Sequence, residues 1–97
     1  MEARNGWIVS SAAGHDRDTV YCVVGRDETT GRLLLADGRK RRISAPKAKG
    51  PGHVRVLDRG GFDHSAVGKL KQGLPVSDRE LRRALAAFKE GITLGKR

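Results

Sequence analysis

Turn signals divide the first sixty residues into short segments, and this spacing limits the fold more than any other feature of the sequence. Residues 7–12, 19–26 and 32–36 are rich in β-branched or apolar side chains, and polar, Gly-containing segments separate them. Residues 53–57 alternate between polar and apolar side chains, as a short strand with one covered face does. With a further strand over residues 39–43, five short strands fall within about fifty-five residues. We therefore predict a mainly β fold, in which five strands form a small barrel.

The fourth strand is predicted from Asp37-Gly38, a dipeptide typical of two-residue hairpin turns. Such a turn would pair Lys40–Arg42, within the basic run Arg39–Arg42, with Leu33–Leu35. A strand with cations on both faces is not covered on both sides, and we therefore place it at a sheet edge or a barrel rim. Residues 44–52, with two prolines and two glycines, are predicted to form a loop.

Near residue 60 the pattern changes from strands to helices, which predicts a barrel over residues 1–60 and a helical extension over residues 61–97. Asp63 is a candidate N-cap for a short helix over residues 65–72, which Gly73 would end. The length of 97 residues allows one small domain with such an appendage.

The second helix has a clear start, because Ser77 and Glu80 form a capping box. Gly91 is predicted to end this helix. Because its apolar stripe is narrow, the helix would be marginally stable alone, and we expect it to pack on the barrel. The stripe consists of Leu81, Ala84, Leu85 and Phe88, spaced at i, i+3, i+4 and i+7.

The chain carries a large excess of positive charge, and this charge is unevenly distributed. Twenty Lys and Arg residues against eleven Asp and Glu residues give a net charge of +9. Residues 1–37 carry four cations and six carboxylates (net −2), residues 38–60 eight and one (net +7), and residues 61–97 eight and four (net +4). Clustered cations of this kind favour a polyanionic partner, above all a nucleic acid. The alternative that Arg39–Arg42 is only a solvated, basic edge strand stays open.

No sequence feature indicates a membrane protein or a secreted protein. The first residues lack the apolar core of a signal peptide, no run approaches the roughly 20 apolar residues that span a bilayer, and no lipidation signal is present. The single Cys22 cannot form an internal disulfide, which is typical of a reducing compartment. We therefore expect a cytoplasmic protein with no membrane partner.

Metal binding and catalysis are not indicated by the sequence. The candidate metal ligands do not pair at the short spacings of zinc sites. They are His15, Cys22, His53 and His64. No nucleophile elbow, phosphate-cradling Gly loop or paired-carboxylate signature is found. We predict no cofactor, no metal, no small-molecule substrate and no enzymatic activity.

The sequence contains four aromatic side chains, of which Phe88 belongs to the helical stripe. Trp7 and Tyr21 are candidates for the core and, alternatively, for stacking on nucleic-acid bases. A binder with so little stacking area depends on phosphate contacts, which favours structured RNA over a sequence-specific single strand.

Residues 6–17 (GWIVSSAAGHDR) resemble the KOW motif, in which a Gly-led strand runs into a Gly-headed, charged turn. Residues 20–24, Leu35–Arg39 and the helical segment Ser77–Leu85 continue the likeness. In this order they resemble the KOW-domain RNA-binding proteins of Gram-positive bacteria, which are related to certain large-subunit ribosomal proteins of archaea and eukaryotes. The resemblance covers most of residues 6–90.

This resemblance implies an SH3-like barrel and binding to RNA, with ribosomal RNA and the ribosome as the expected partners. It places residues 14–17 in the motif turn, an element that commonly faces RNA in the family. In this chain Asp16 and Asp18 outnumber Arg17 in that turn, and Asp18 stands where the family usually has Gly. These departures shift the predicted phosphate contacts to the basic run and the loop after it.

We predict RNA contacts from the basic run, the following loop and, in second place, the C-terminal helix. The primary candidates are Arg39, Lys40, Arg41, Arg42, Lys47, Lys49, Arg17, His15 and Arg55, and the secondary ones are Arg79, Arg82 and Arg83. The alternative function is a protein-interaction adaptor of the translation or transcription machinery. In that case the barrel edge or the helical tail would dock an acidic protein, through residues such as Leu81 or Phe88.

Overall fold

Five antiparallel strands and two α-helices make up the fold, in a computed structural model that describes residues 3–93. The elements are β1 (Ile8–Ser11), β2 (Val20–Arg26), β3 (Leu33–Ala36), β4 (Lys47–Lys49), β5 (Val54–Asp58), α1 (Ser65–Lys71) and α2 (Asp78–Thr93), with a short 3-10 helix at Pro51–His53 between β4 and β5. The strands form one sheet in the order β4-β3-β2-β1-β5. The predicted positions of the first, second, third and fifth strands are confirmed.

The sheet is open, because β4 and β5 lie at its two edges and do not pair within the described part of the chain. In a flat sheet these edges would be about 19 Å apart, four strand spacings. Lys49 at the end of β4 and Val54 at the start of β5 are joined by Gly50 and a 3-10 helix that rises only about 2 Å per residue. A connection this short requires the sheet to curl, so that its edges approach each other.

The curled sheet is covered on both faces by apolar side chains that alternate along its strands. One core cluster on the sheet contains Val9, Tyr21, Val23, Leu33 and Leu35, with Val54 and Val56 of β5 packed against it. The second cluster contains Ile8, Cys22 and Ala36 on the sheet and Leu70, Leu81 and Leu85 on the helices. The helices therefore pack on the face of the sheet opposite to the first cluster.

Helix α2 lies on the sheet through the predicted apolar stripe. Leu81, Ala84 and Leu85 are buried and Phe88 is half-buried. The capping box is confirmed, since Glu80 N donates to Ser77 Oγ at 3.1 Å and Ser77 N donates to Glu80 Oε1 at 3.0 Å.

Two predicted helix ends are wrong. The N-cap of α1 is His64 rather than Asp63, because His64 Nδ1 accepts a hydrogen bond from Ala66 N at 3.1 Å. Helix α2 continues past Gly91 to Thr93. A glycine ends a helix only where the backbone adopts positive φ, which Gly73 after α1 does and Gly91 does not.

The predicted two-residue hairpin at Asp37-Gly38 is also wrong. The partner of β3 is β4, with Leu33 opposite Lys49 and Leu35 opposite Lys47, so a strand lies inside the segment predicted as a loop. The side chain of Asp37 accepts hydrogen bonds from the backbone N–H groups of Arg39 and Arg41, both at 2.9 Å. These local bonds compete with strand pairing and fold residues 37–41 into a compact turn.

Candidate nucleic-acid interface

The basic run Arg39–Arg42 forms an exposed loop between β3 and β4, which we call the basic loop. All four residues are exposed, and in the described part of the chain no salt bridge holds any of them. Four neighbouring cations without internal partners repel one another, and a bound anion would relieve that repulsion.

Helix α2 fixes the backbone of the basic loop at both ends. Arg82 Nη1 donates to the carbonyl oxygen of Gly38 at 2.7 Å, and Ile43 N donates to Asp78 Oδ1 at 2.8 Å. Gly38 has a φ of +76°, and a β-carbon there would clash with the backbone oxygen of Asp78. The loop is therefore held by the helix at both ends, in addition to the local hydrogen bonds of Asp37.

An open groove of about 540 Å³ separates the basic loop from α2. Four of its lining residues are cations, Arg39, Lys40, Arg82 and Lys89. Asp37 and Glu90 also line it, but the Asp37 carboxylate already accepts two backbone hydrogen bonds. The groove therefore connects the basic loop with Arg82 and Lys89 of the helix.

Lys47 and Lys49, the two cations on β4, are engaged by the side chain of Asp16. Lys49 Nζ lies 2.8 Å from Asp16 Oδ1 and donates to Ser11 Oγ at 2.8 Å. Lys47 Nζ lies 3.3 Å from Asp16 Oδ2, and Tyr21 Oη donates to the same oxygen at 2.9 Å. We call these five side chains the Asp16 cluster. It holds β4 against the turn between β1 and β2, which is a structural role that sequence reasoning missed.

The protonation of the Asp16 cluster follows from its hydrogen bonds. Burial alone would raise the pKa of Asp16, but the hydrogen bonds from Lys49, Ser11, Tyr21 and Lys47 outweigh burial and hold this pKa well below its usual range. Burial, and next the hydrogen bond to Asp16, raise the pKa of Tyr21 to about 12. At neutral pH the cluster therefore contains an ionised Asp16 and a neutral Tyr21.

The turn over residues 13–18 and the basic loop lie at the same end of the central strands, because β1 and β3 both run antiparallel to β2. His15 and Arg17 in this turn are exposed. Asp18 has a φ of +72°, the one non-glycine residue with positive φ in the described chain. Its backbone thus adopts the left-handed conformation that glycine favours.

The remaining predicted contacts lie at varying distances from the basic loop in the fold. Arg55 is exposed on β5, which β2 and β1 separate from β3 in the sheet. Arg79 and Arg83 are exposed on α2, but among the helix cations the groove is lined by Arg82 and Lys89. Lys89 was not predicted, although its spacing of seven residues from Arg82 places both on one helix face.

The described residues contain no group of three His, Cys, Asp or Glu side chains that would suit a metal ion. Cys22 is fully buried, and burial raises the pKa of its thiol to about 12, so it is not a thiolate at neutral pH. Between residues 3 and 93 no helix has the length and apolar character needed to cross a membrane.

Comparison with known proteins adds no assignment. No protein-family model matches the sequence, and no curated protein is similar enough to be counted as a relative.

Proposed function

We propose that this protein is a non-catalytic RNA-binding module that contacts the phosphate backbone of structured RNA through the basic loop. The observation that carries the proposal is the state of Arg39–Arg42: four exposed cations that form no ion pair among the described residues, on a backbone fixed by α2. Arginine binds phosphate oxygens through two parallel hydrogen bonds, and a rigid backbone reduces the entropy lost on binding.

The groove beside the basic loop supports structured RNA over a single strand. Its described lining contains four cations but no aromatic ring on which a base would stack. Such a surface follows the path of the backbone and reads the shape of a helix. Ribosomal RNA, bound in the cytoplasm, is the partner that we propose.

Membership of the KOW-domain RNA-binding proteins, with an SH3-like barrel, is part of the same proposal. A five-stranded sheet that must curl to join β4 to β5 supports the barrel. The positive φ of Gly14 and of Asp18 supports the motif, since these positions are the head of the turn and the place of the family's second Gly.

The Asp16 cluster reduces the number of cations in the proposed interface. Of six primary cations in the basic loop and the segment after it, Lys47 and Lys49 are bound to Asp16, which leaves the four of the basic loop. If four phosphates are neutralised, RNA affinity should fall about 10²-fold between 50 and 200 mM salt.

Charge reversal of Arg41 and Arg42 tests the proposal. We expect Arg41→Glu/Arg42→Glu to weaken binding to purified ribosomal RNA by on the order of 10²-fold, because two attractive contacts become repulsive. Binding is measured by gel shift at two salt concentrations, and circular dichroism verifies that the fold is unchanged. The matched control is Arg26→Glu/Arg32→Glu, which changes the net charge equally at the far end of β2 and β3. Equal loss in both variants would show that net charge, not the basic loop, controls binding.

The adaptor alternative has less support. Leu81 is fully buried between α2 and the sheet and offers no surface to a partner, and the half-buried Phe88 packs edge-on against Phe62. Pull-down from a lysate before and after nuclease treatment distinguishes the two functions: partners held through RNA disappear on digestion, and partners of an adaptor remain.

A further inference from the structure

A second cationic groove lies beside Trp7, at the end of β1 opposite to the turn that leads into β2. It is open and has a volume of about 1030 Å³. The residue pair Arg59-Gly60, the segment Arg4-Asn5 and the last turn of α1 form its walls. Three of its lining residues are cations (Arg4, Arg59 and Lys71), and none of the described lining residues is acidic.

Trp7 offers this groove an aromatic surface and a hydrogen-bond donor. The residue is half-buried, with one side packed against the core cluster that contains Val9 and Tyr21. In the described structure no hydrogen bond uses the indole N–H, and no buried side-chain nitrogen or oxygen lacks a partner. The indole nitrogen is therefore not fully buried.

The guanidinium of Arg59 lies over the Trp7 ring, with its central carbon 5.7 Å from the ring centroid. Arg59 is exposed, and none of the described salt bridges includes it. A base stacked on an aromatic ring gains more than an exposed cation gains from the same ring. An incoming base would thus displace Arg59 from the ring, and the guanidinium would then be free to bind the phosphate of the same nucleotide.

The floor of the groove is rigid. Asp58 Oδ2 accepts a hydrogen bond from Gly60 N at 3.0 Å, and Lys71 Nζ donates to the carbonyl oxygen of Gly60 at 2.7 Å. Gly60 has a φ of +84°, and a β-carbon there would contact both Trp7 and Lys71 at 3.5 Å. The absent side chain keeps the space beside the indole ring open.

From this geometry we propose that the groove beside Trp7 binds one unpaired nucleotide of an RNA strand, with the base on the indole ring and the phosphate between Arg4 and Arg59. The assignment of the nucleotide to RNA rests on the proposed function. The two proposed sites differ in what they would bind. The basic loop lacks an aromatic ring and would contact only the phosphate backbone, whereas this groove has a ring for a base and cations for its phosphate.

Trp7 is the single tryptophan of the chain, so its fluorescence reports directly on this groove. We expect the hexanucleotide A6, a single-stranded oligoadenylate, to quench the fluorescence in a saturable titration. Arg4→Glu should weaken this binding at least about fivefold, because an attractive contact to phosphate becomes repulsive. Arg32→Glu, at an exposed residue outside the lining of both grooves, should change it less than twofold.

A second variant removes the ring itself. We expect Trp7→Leu to weaken binding of fluorescein-labelled A6, followed by anisotropy, at least about tenfold, through loss of base stacking. Because Trp7 also packs on the core, circular dichroism and thermal melting establish whether this variant is folded. Because Arg4 is exposed, Arg4→Glu tests the groove without changing the packing of the core.

Any of four results would overturn the inference. The first three are no quenching by A6, equal quenching in Arg4→Glu, and equal quenching by hexaglutamate, a polyanion without bases. Adenosine monophosphate that quenches as well as A6 per nucleotide would also overturn it, because the ligand would then be a free nucleotide. Failure of this groove and failure of the basic loop are distinguishable. If Arg41→Glu/Arg42→Glu loses ribosomal RNA binding but A6 does not quench the parent protein, only this inference is refuted. If A6 quenches the parent protein but the double variant still binds ribosomal RNA like the parent, only the proposed function is refuted.

Discussion

The cations of the basic loop and the two lysines of the Asp16 cluster all lie between β3 and β5. They differ in whether they form ion pairs. In the Asp16 cluster one carboxylate binds two lysines, which are half-buried. In the basic loop four cations stay exposed and without internal salt bridges in the described structure. A run of positive charge is therefore not one functional unit. What separates its parts is whether the cations form ion pairs with a carboxylate of the described structure.

The largest expected effect comes from removing the carboxylate of the Asp16 cluster. Asp16→Ala leaves Lys47, Lys49 and the Tyr21 hydroxyl without their shared acceptor, and we expect the free energy of unfolding to fall by about 2–3 kcal/mol. For a chain of this size that lowers the melting temperature by roughly 8 °C or more, measured by calorimetry. Asp63→Ala, an exposed carboxylate outside the described salt bridges, is the matched control and should melt like the parent. Equal melting of both variants would mean that the cluster does not stabilise the fold.

Acid should weaken the same cluster. The pKa of Asp16 is lower in the folded protein than its unfolded value of about 3.9, so its stabilisation is complete above that value and is lost as pH falls below it. We expect the melting temperature to decrease between pH 5 and about pH 2, and to decrease less in Asp16→Asn. Glu80, whose pKa the hydrogen bond from Lys69 lowers to about 2, contributes in the same direction. The difference between parent and Asp16→Asn isolates the Asp16 part, and parallel curves would contradict it.

The basic loop should depend on its attachment to α2 instead. Asp78→Ala removes the acceptor of Ile43 N, which should cost about 1–2 kcal/mol of stability and weaken ribosomal RNA binding about fivefold, since a loosened loop must be ordered on binding. Asp78→Asn keeps an oxygen acceptor and serves as the control. Chemical denaturation and gel shift measure the two effects. Lower stability with unchanged affinity would show that the attachment supports the fold alone.

The elements that depend on local pattern were predictable, and those that depend on a distant partner were not. Apolar runs between turn segments located β1, β2 and β3, alternation located β5, and the capping box located the start of α2. The hairpin is an exception, because Asp37 forms local hydrogen bonds to the backbone N–H groups of Arg39 and Arg41 that replace strand pairing. Contacts from α2, far away in the sequence, then hold the same loop. No spacing rule shows that Asp16 reaches Lys49, thirty-three residues away. The sequence identified the cationic residues of the candidate site, whereas only the tertiary structure shows which of them form ion pairs.

Neutralising Asp16 should release Lys47 and Lys49 from their ion pairs, so that they can contact RNA as we propose for the basic loop. Asp16→Asn keeps the shape of the side chain but releases the charges of Lys47 and Lys49, and we expect ribosomal RNA binding at 50 mM salt to tighten about threefold. The slope of log affinity against log salt should steepen by about one unit. Asp63→Asn raises the net charge equally at a distant, exposed position and controls for long-range attraction. If both variants tighten binding by the same factor, the released lysines do not contact RNA.

The smallest expected effect concerns the backbone of the turn that carries Asp16. Asp18 adopts a φ of +72°, a conformation that costs an L-residue free energy and costs glycine little. Asp18→Gly should therefore raise the free energy of unfolding by about 0.5 kcal/mol, and Asp18→Ala should lower it by about 1 kcal/mol. Asp18→Asn, which tolerates this conformation, removes the same charge and separates backbone strain from electrostatics. Urea denaturation measures all three variants. A gain in Asp18→Asn as large as that in Asp18→Gly would show that the charge, not the backbone, limits the turn, and would remove one support for the KOW proposal.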